Sequence, residues 1–276
     1  MAYQNFIPTV WAEGINRELE KSLVFAENCN REYEGVVKAQ GDSVRILGVG
    51  KPTITTTTNK NIVLNDAEAV EDTAVTMLIR QIAYFNYKVD DIDKRQAVGG
   101  VMEALSKETS IGLADVMDKY IADLAKAEEA VLYSPETVTI TEANILENVD
   151  GVLQKLYEND VKPGSEITLT VPPWFYMMMK RAYEDLDTDN STMLKNGKMG
   201  TYAGATIKMS NNVAVGAGGS SLIQVKTNKA IAFVNPMTHT EAYRPEKSFS
   251  DAVKGFILFD AKIVRPKEMI ILNCNH

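Results

Sequence analysis

The stretch DIDKRQAVGGVMEALSKETSIGLADVMDKYIADLAKAEEAVL, residues 91–132, decides how the rest of the chain is read. Its apolar residues recur at Val98, Val101, Met102 and Leu105, then at Leu113, Val116, Met117, Tyr120, Ile121 and Leu124. That spacing is helical. As one helix, roughly 40 residues would reach about 60 Å at 1.5 Å per residue, against about 11–12 residues for a common globular helix. The stretch is expected to be a strut. It carries no sustained heptad with charged flanks, which disfavours a coiled coil. Gly99, Gly100 and Gly112 weaken a helix, so a bend or break is expected near Gly112.

Upstream of the strut, the first 35 residues read as an extended arm carrying one helix. Pro8 and Thr9 open it, and Ile15, Leu19, Leu23 and Val24 share a face that needs something to lie against. From Val36 to Val89 the signal is strand only: Val44 and Ile46, a polar run from Thr53 to Asn61, then a return in which Phe85, Tyr87 and Val89 alternate with Asn86 and Lys88. This predicts a long hairpin with a Thr-rich outer part. A hairpin on its own is marginal in water, and its open edges invite pairing with another chain. An intermolecular partner is therefore expected.

Downstream, Thr141 is placed to cap a helix in which Ile145, Val149, Val152, Leu153 and Leu156 share a face, ending near Pro163 and Gly164. A strand, EITLTV, leads through Pro172 and Pro173 into the helix WFYMMMKRAYEDL. After a polar loop from Asp187 to Gly200 come the strands YAGATIKMS, SLIQV, AIAFV, TEAYR, GFILFDAKIV and MIILN. The second half is α+β.

Composition narrows the function. With 276 residues and 45% hydrophobic side chains the chain can fill a core. Neither a run of 18 apolar residues nor a basic-then-apolar leader is read, so no membrane span is expected and the chain is expected to be made and used in a cytoplasm. A net charge of -8 disfavours a protein that grips nucleic acid through massed Lys and Arg, while leaving loose contact open. Cys29 and Cys274 lie near opposite ends, without metal-ligand spacing, and read as free thiols.

The residue patterns that carry chemistry are incomplete. Catalysis through His239 would need a nearby nucleophile, and His276 is the last residue. Around Gly50-Lys51 the residue after the lysine is Pro52, where a phosphate loop needs Ser or Thr. Asp90, Asp91 and Asp93 suit a helix N-terminus as well as a hard cation. Asp187 and Asp189 lack the Gly and Glu of a calcium loop, and Met177 to Met179 read as core. GAGGSS, residues 216–221, lacks the strand, helix and acid of a dinucleotide site and reads as a flexible connection. No catalytic, cofactor-binding or metal-binding residue is assigned.

In its order of elements the chain resembles the major capsid protein of tailed bacteriophages, a fold shared with encapsulins and the herpesvirus capsid floor. The resemblance runs through FNYKVDDIDKRQ, TLTVPPWFYMMMKRA, YAGATIKMSNNV and the passage from KAIAFVNP to GFILFDAKIVRP. It implies an N-terminal arm (1–35), an extended hairpin called the E-loop (36–90), a spine helix with the peripheral domain (91–141), an axial domain (142–230) and strands returning to the peripheral domain (231–276). It also implies a non-enzymatic protein, without cofactor, that assembles with itself into pentamers and hexamers of an icosahedral shell. Such a shell forms in the host bacterial cytoplasm, carries a portal and encloses packaged double-stranded DNA in the virion. Because Met1 stands almost at the arm, a separate scaffolding protein is expected. Thr55, Thr57, Asn59, Lys60 and Asn61 near the hairpin tip, with Ile15 and Leu19 on the arm, are the expected assembly contacts. The alternatives are an encapsulin-type nanocompartment shell and, in a different class, a β-rich metal- or sugar-binding enzyme domain using Asp90 to Asp93.

Overall fold

The computed structural model describes residues 19, 23–35, 43–49, 56, 72–90, 101–184, 194–195, 198–245 and 250–276. The fold is α+β, and its centre is an eight-stranded mixed sheet that separates two hydrophobic cores. Its main strands are β6 (Ile167–Val171), β10 (Ala205–Met209), β12 (Ser221–Thr227) and β15 (Met269–Asn275). The short strands β4 (Val131–Leu132), β5 (Val138–Thr139), β9 (Thr201–Tyr202) and β11 (Ala214–Val215) complete it. β12 is antiparallel to both β15 and β6, and β10 runs parallel to β6. A separate small pair joins β7 (Leu194–Lys195) to β8 (Lys198–Met199).

The pleat explains the partition. Successive side chains of a strand face opposite ways. On β15, Met269 and Ile271 enter one core while Ile270, Leu272 and Cys274 enter the other. On β12, Leu222 goes to the first and Ile223 and Val225 to the second. The second core is closed by helices α2 (Ile145–Glu158) and α3 (Pro173–Glu184). The buried residues of α2 are Ile145, Val149, Val152, Leu153 and Leu156, the face expected from their spacing. Its N-cap is Asn144 instead of Thr141, and the Asn144 side chain accepts the Thr141 N–H at 2.8 Å.

The strut is α1 (Val101–Asp123), followed by a 3₁₀ turn at Leu124–Lys126. It runs unbroken through Gly112, where a break was expected. Gly112 is exposed and meets nothing, so its cost falls on propensity alone. The strut also ends sooner than Leu132: Ala127 turns extended, and Val131 and Leu132 pair with Ile270 and Ile271 as a strand. Residues 91–100 lie outside the described residues.

A three-stranded antiparallel sheet covers the other side of the strut. Its order is β13 (Ile231–Tyr243), β14 (Ser250–Ile263) and β3 (Gln81–Asp90). Ala83 and Phe85 from β3, Ile257 and Phe259 from β14, and Ile231 and Phe233 from β13 join Met117 and Ile121 of the strut in the first core. The register of β13 shifts between Val234 and Met237, around Pro236, which has no N–H for the ladder.

Two expectations are corrected by this topology. The hairpin return does not run through to Val89. β1 (Ser43–Val49) pairs antiparallel with β2 (Asp72–Leu78), and β3 leaves to pair with β14. Phe85 and Tyr87, which their alternation assigns to the hairpin, belong to the sheet on the strut. Likewise β15, expected among the strands returning to the peripheral domain, pairs with β12 in the eight-stranded sheet.

Candidate assembly surface

Three anchors fix the segments that leave the body of the fold. The first is Asp118, on the buried side of the strut at 2% exposure. Its carboxylate accepts the backbone N–H groups of Val24 at 2.8 Å, Phe25 at 3.1 Å and Ala26 at 3.2 Å. These stand at the start of a 3₁₀ turn, Ala26–Asn28, whose first N–H groups have no partner within the turn. Burial raises the Asp118 carboxyl above its usual 3.8, against the lowering effect of the three N–H donors.

The second anchor follows immediately along the chain. Lys226 of β12 is 1% exposed and its Nζ donates to the Asn28 carbonyl at 2.6 Å and to Cys29 Sγ at 3.1 Å. Asn30 then bridges to β13: its N–H donates to the Ile231 carbonyl at 2.8 Å, and its carbonyl accepts the Phe233 N–H at 2.9 Å. The segment from Val24 to Asn30 is thereby tied to the strut, to the central sheet and to the edge of the outer sheet.

The third anchor holds the base of the hairpin. Asp260, 5% exposed, accepts the Tyr120 hydroxyl at 2.8 Å, the Arg80 N–H at 3.0 Å and its neighbour Ala261 N–H at 2.8 Å. Burial and the Asp260 carboxylate push the Tyr120 phenol up to about 12. β2 and β3 join at Ile79 and Arg80, so this cluster sits at the junction of the hairpin and the outer sheet. Val44, Ile46, Met77 and Ile79 of the hairpin base pack on Ala232, Val234 and Leu258 of the outer sheet.

Beyond that contact, the outer face of the three-stranded sheet carries exposed apolar side chains. Tyr84 is 81% exposed and Ile82 is 43% exposed. Tyr84 stands opposite Phe256, and Phe256 opposite His239, whose ring lies 5.7 Å from the Phe256 ring. One row along, Lys254 pairs with Glu241 at 3.0 Å and lies over the Tyr243 ring. The exposed Tyr84 and His239, on either side of a Phe256 half-buried against the hairpin base, suit contact with another polypeptide better than water.

Of the expected contact residues, Leu19 is described, and its placement corrects the expectation. It is 2% exposed, within the first core, so it packs inside its own chain. Ile15, Thr55, Thr57, Asn59, Lys60 and Asn61 lie outside the described residues, as do Gly50 to Pro52, Asp91, Asp93, Asp187 and Asp189. Asp90 ends β3 opposite Ser250. Met178 and Met179 are core, as read, whereas Met177 is 51% exposed. The 216–221 segment is an ordered turn between β11 and β12, closed by the Gly216 N–H on the Ser220 carbonyl at 2.7 Å. Cys29 and Cys274 are both buried free thiols, and burial pushes Cys274 up to about 12. Among the described residues no helix is long and apolar enough to cross a membrane, and no group of three acidic, His or Cys side chains is placed to hold a metal ion.

No protein-family profile and no curated protein matches the sequence. Solved structures do match, across nearly the whole chain. A structure of Mycobacterium phage Che8 superposes with a TM-score of 0.74 at 26% identity, over 92% of this chain and 91% of that one. The mature capsid of bacteriophage PhiM1 gives 0.68 at 17% identity, over 92% and 87%. A virus-like particle from Pyrococcus furiosus gives 0.61 at 13% identity, over 99% and 100%. An outer sheet and a central sheet held on one strut, with residues 24–30 anchored to both and a hairpin base packed on the outer sheet, thus make this chain one with the major capsid protein fold of bacteriophages.

Proposed function

We propose that this chain is the shell-forming coat protein of a bacteriophage, assembling with itself into pentamers and hexamers of an icosahedral shell around packaged double-stranded DNA. The observation that carries this reading is the end-to-end likeness to the Che8 structure, over nine-tenths of both chains. The role is structural, not catalytic. The arm (1–35), held to its own body at Leu19 and from Leu23 to Asn30, and the E-loop, cut back to 36–78 because β3 joins the outer sheet, reach neighbouring subunits. The spine helix and peripheral domain (91–141), the axial domain (142–230) and the returning strands (231–263) form the shell wall, to which β15 contributes through the central sheet. Ile15, Thr55, Thr57, Asn59, Lys60 and Asn61 are the contact residues of this reading. A separate scaffolding protein sets the shell size, a portal occupies one vertex, and assembly takes place in the host cytoplasm before the virion is released. With a net charge of -8 the wall encloses DNA by loose, non-specific contact.

The second reading is a cellular nanocompartment shell, favoured by the virus-like particle from Pyrococcus furiosus, which is matched along its entire chain. Negative-stain electron microscopy of the purified chain, with and without a candidate scaffolding protein, tests both. Closed shells or rings of five or six subunits are expected. A compact monomer under every condition would overturn the assembly reading. Nuclease-protected DNA in particles from infected cells separates a virion from a protein-loaded compartment.

A further inference from the structure

We propose that Lys226 and Cys29 form an oxidisable pair, closed by dioxygen into a covalent N–O–S bridge that staples the last part of the arm to the central strand. Three observations converge on it. The Lys226 amine lies 3.1 Å from Cys29 Sγ, with the two residues 197 positions apart in the chain. Both are enclosed, at 1% and 7% exposure, so the contact is fixed by packing and not by a chance surface rotamer. The thiol donates its own proton away from the amine, to the Phe25 carbonyl at 3.2 Å, which leaves a sulfur lone pair facing Nζ.

A lysine in a core ordinarily stands against a carboxylate, because a buried ammonium needs a charge partner. Here, among the described residues, the groups that accept from Lys226 are a carbonyl and a sulfur. Cys274 is an internal contrast, fully buried in the second core among Ile140, Ile270 and Leu272. If burial alone governed oxidation, the two cysteines would behave alike. If the neighbouring amine governs it, Cys29 alone reacts.

The chemistry balances with dioxygen as the sole co-reactant. The S–H bond and one N–H bond break, and N–O and O–S bonds form around one oxygen atom. The other oxygen atom leaves as water with both hydrogens. Sulfur and nitrogen each give up two electrons, and dioxygen takes all four. The product carries one oxygen atom more and two hydrogen atoms fewer than the reduced chain. A thiol reductant returns it to amine and thiol.

The experiment uses the full-length chain, purified once under air and once without oxygen in the presence of reductant. Intact mass spectrometry of the aerobic sample is expected to show the species with one oxygen gained and two hydrogens lost. A protease digest should contain a peptide pair joined through residues 29 and 226, and dithiothreitol should abolish both signals. Cys274→Ser keeps the species and Cys29→Ser removes it. Lys226→Met removes it as well, and should that variant fail to fold, the digest of the unaltered chain decides by itself. The inference is overturned by an unchanged mass after prolonged exposure to air. It is overturned equally by oxygen gained without loss of hydrogen, which is ordinary thiol oxidation, or by hydrogen lost without oxygen gained, which is a disulfide.

Discussion

The ring of Phe85 lies against Gly255: a Cβ placed on that glycine would meet Phe85 Cζ at 2.6 Å and the His239 carbonyl oxygen at 2.7 Å. The two residues face each other across β3 and β14. The missing side chain is what lets Phe85 lie flat over the sheet and reach the first core. Gly255→Ala would have to displace both an aromatic ring and a backbone carbonyl, and overpacking of this kind costs about 1–3 kcal/mol. Thermal unfolding should show Gly255→Ala markedly less stable, and an unchanged midpoint would contradict the packing described.

Gly112 predicts the opposite sign. It sits in mid-helix, exposed, with open space where a Cβ would go. Gly112→Ala therefore removes backbone freedom from the unfolded chain without a clash, and should stabilise the subunit by about 0.5–1 kcal/mol. A loss of stability in chemical denaturation would mean that the strut needs to bend there, as the sequence suggested.

The Asp118 anchor makes a prediction in pH. Burial raises this carboxyl above 3.8. A group whose folded value is raised contributes stability that is complete below its unfolded value and lost as pH rises through the folded one. Unaltered protein should therefore gain stability relative to Asp118→Asn as pH falls toward 3.8 from above. Melting temperatures across a pH series check this, and the reverse slope would refute it. Asp118→Ala, which strands three N–H groups, should cost about 3 kcal/mol and quicken proteolytic cutting before Asn30.

How much of this was legible depended on whether a residue's role was local or long-range. The α2 face was readable because its five buried residues recur at helical spacing. The strut face was readable only in part. Its buried side runs through Ser110, Leu113, Ala114, Met117, Asp118, Ile121, Ala122 and Ala125, whereas the expected Val116 is 48% exposed. Alanines carry little hydrophobic signal, yet they let a helix lie close to a sheet on each side. Asp118 was the available clue, a carboxylate in register with Leu113, Met117 and Ile121. Its partners are about 90 residues away in the chain, so no local pattern names them. Lys226 and Asp260 are hidden for the same reason. The transfer of β3 from hairpin to outer sheet was illegible because alternation marks a strand without naming its partner.

At the hairpin base, Tyr120 and Asp260 should behave as a coupled pair. Tyr120→Phe removes one hydrogen bond of a buried carboxylate, at about 1 kcal/mol. Asp260→Ala leaves the Arg80 N–H and the Tyr120 hydroxyl without their acceptor, at about 3 kcal/mol. Once Asp260 is gone the Tyr120 hydroxyl has lost its carboxylate acceptor and keeps only its hydrogen bond with Gln81, so the double variant should be no worse than Asp260→Ala. The coupling from a double-mutant cycle should be about 1 kcal/mol, and strict additivity would remove Tyr120 from the cluster.

Tyr84 separates stability from assembly. At 81% exposure it contributes little to the subunit, so Tyr84→Ser should change unfolding free energy by less than about 0.5 kcal/mol. If Tyr84 and His239, exposed on either side of the half-buried Phe256, meet another subunit, the same substitution should lower the yield of closed particles several-fold and raise the subunit concentration at which they appear. Protease digestion gives a second reading of that contact. Residues 53–66 should be protected in particles and cut rapidly in dissociated subunits, because a hairpin with open edges is covered only by a neighbour. Tyr84→Ser particles, where they form, should lose part of that protection if the hairpin lies on this face. Full protection together with normal yield would place the hairpin's partner elsewhere on the neighbouring subunit and leave the aromatic row as ordinary exposed surface.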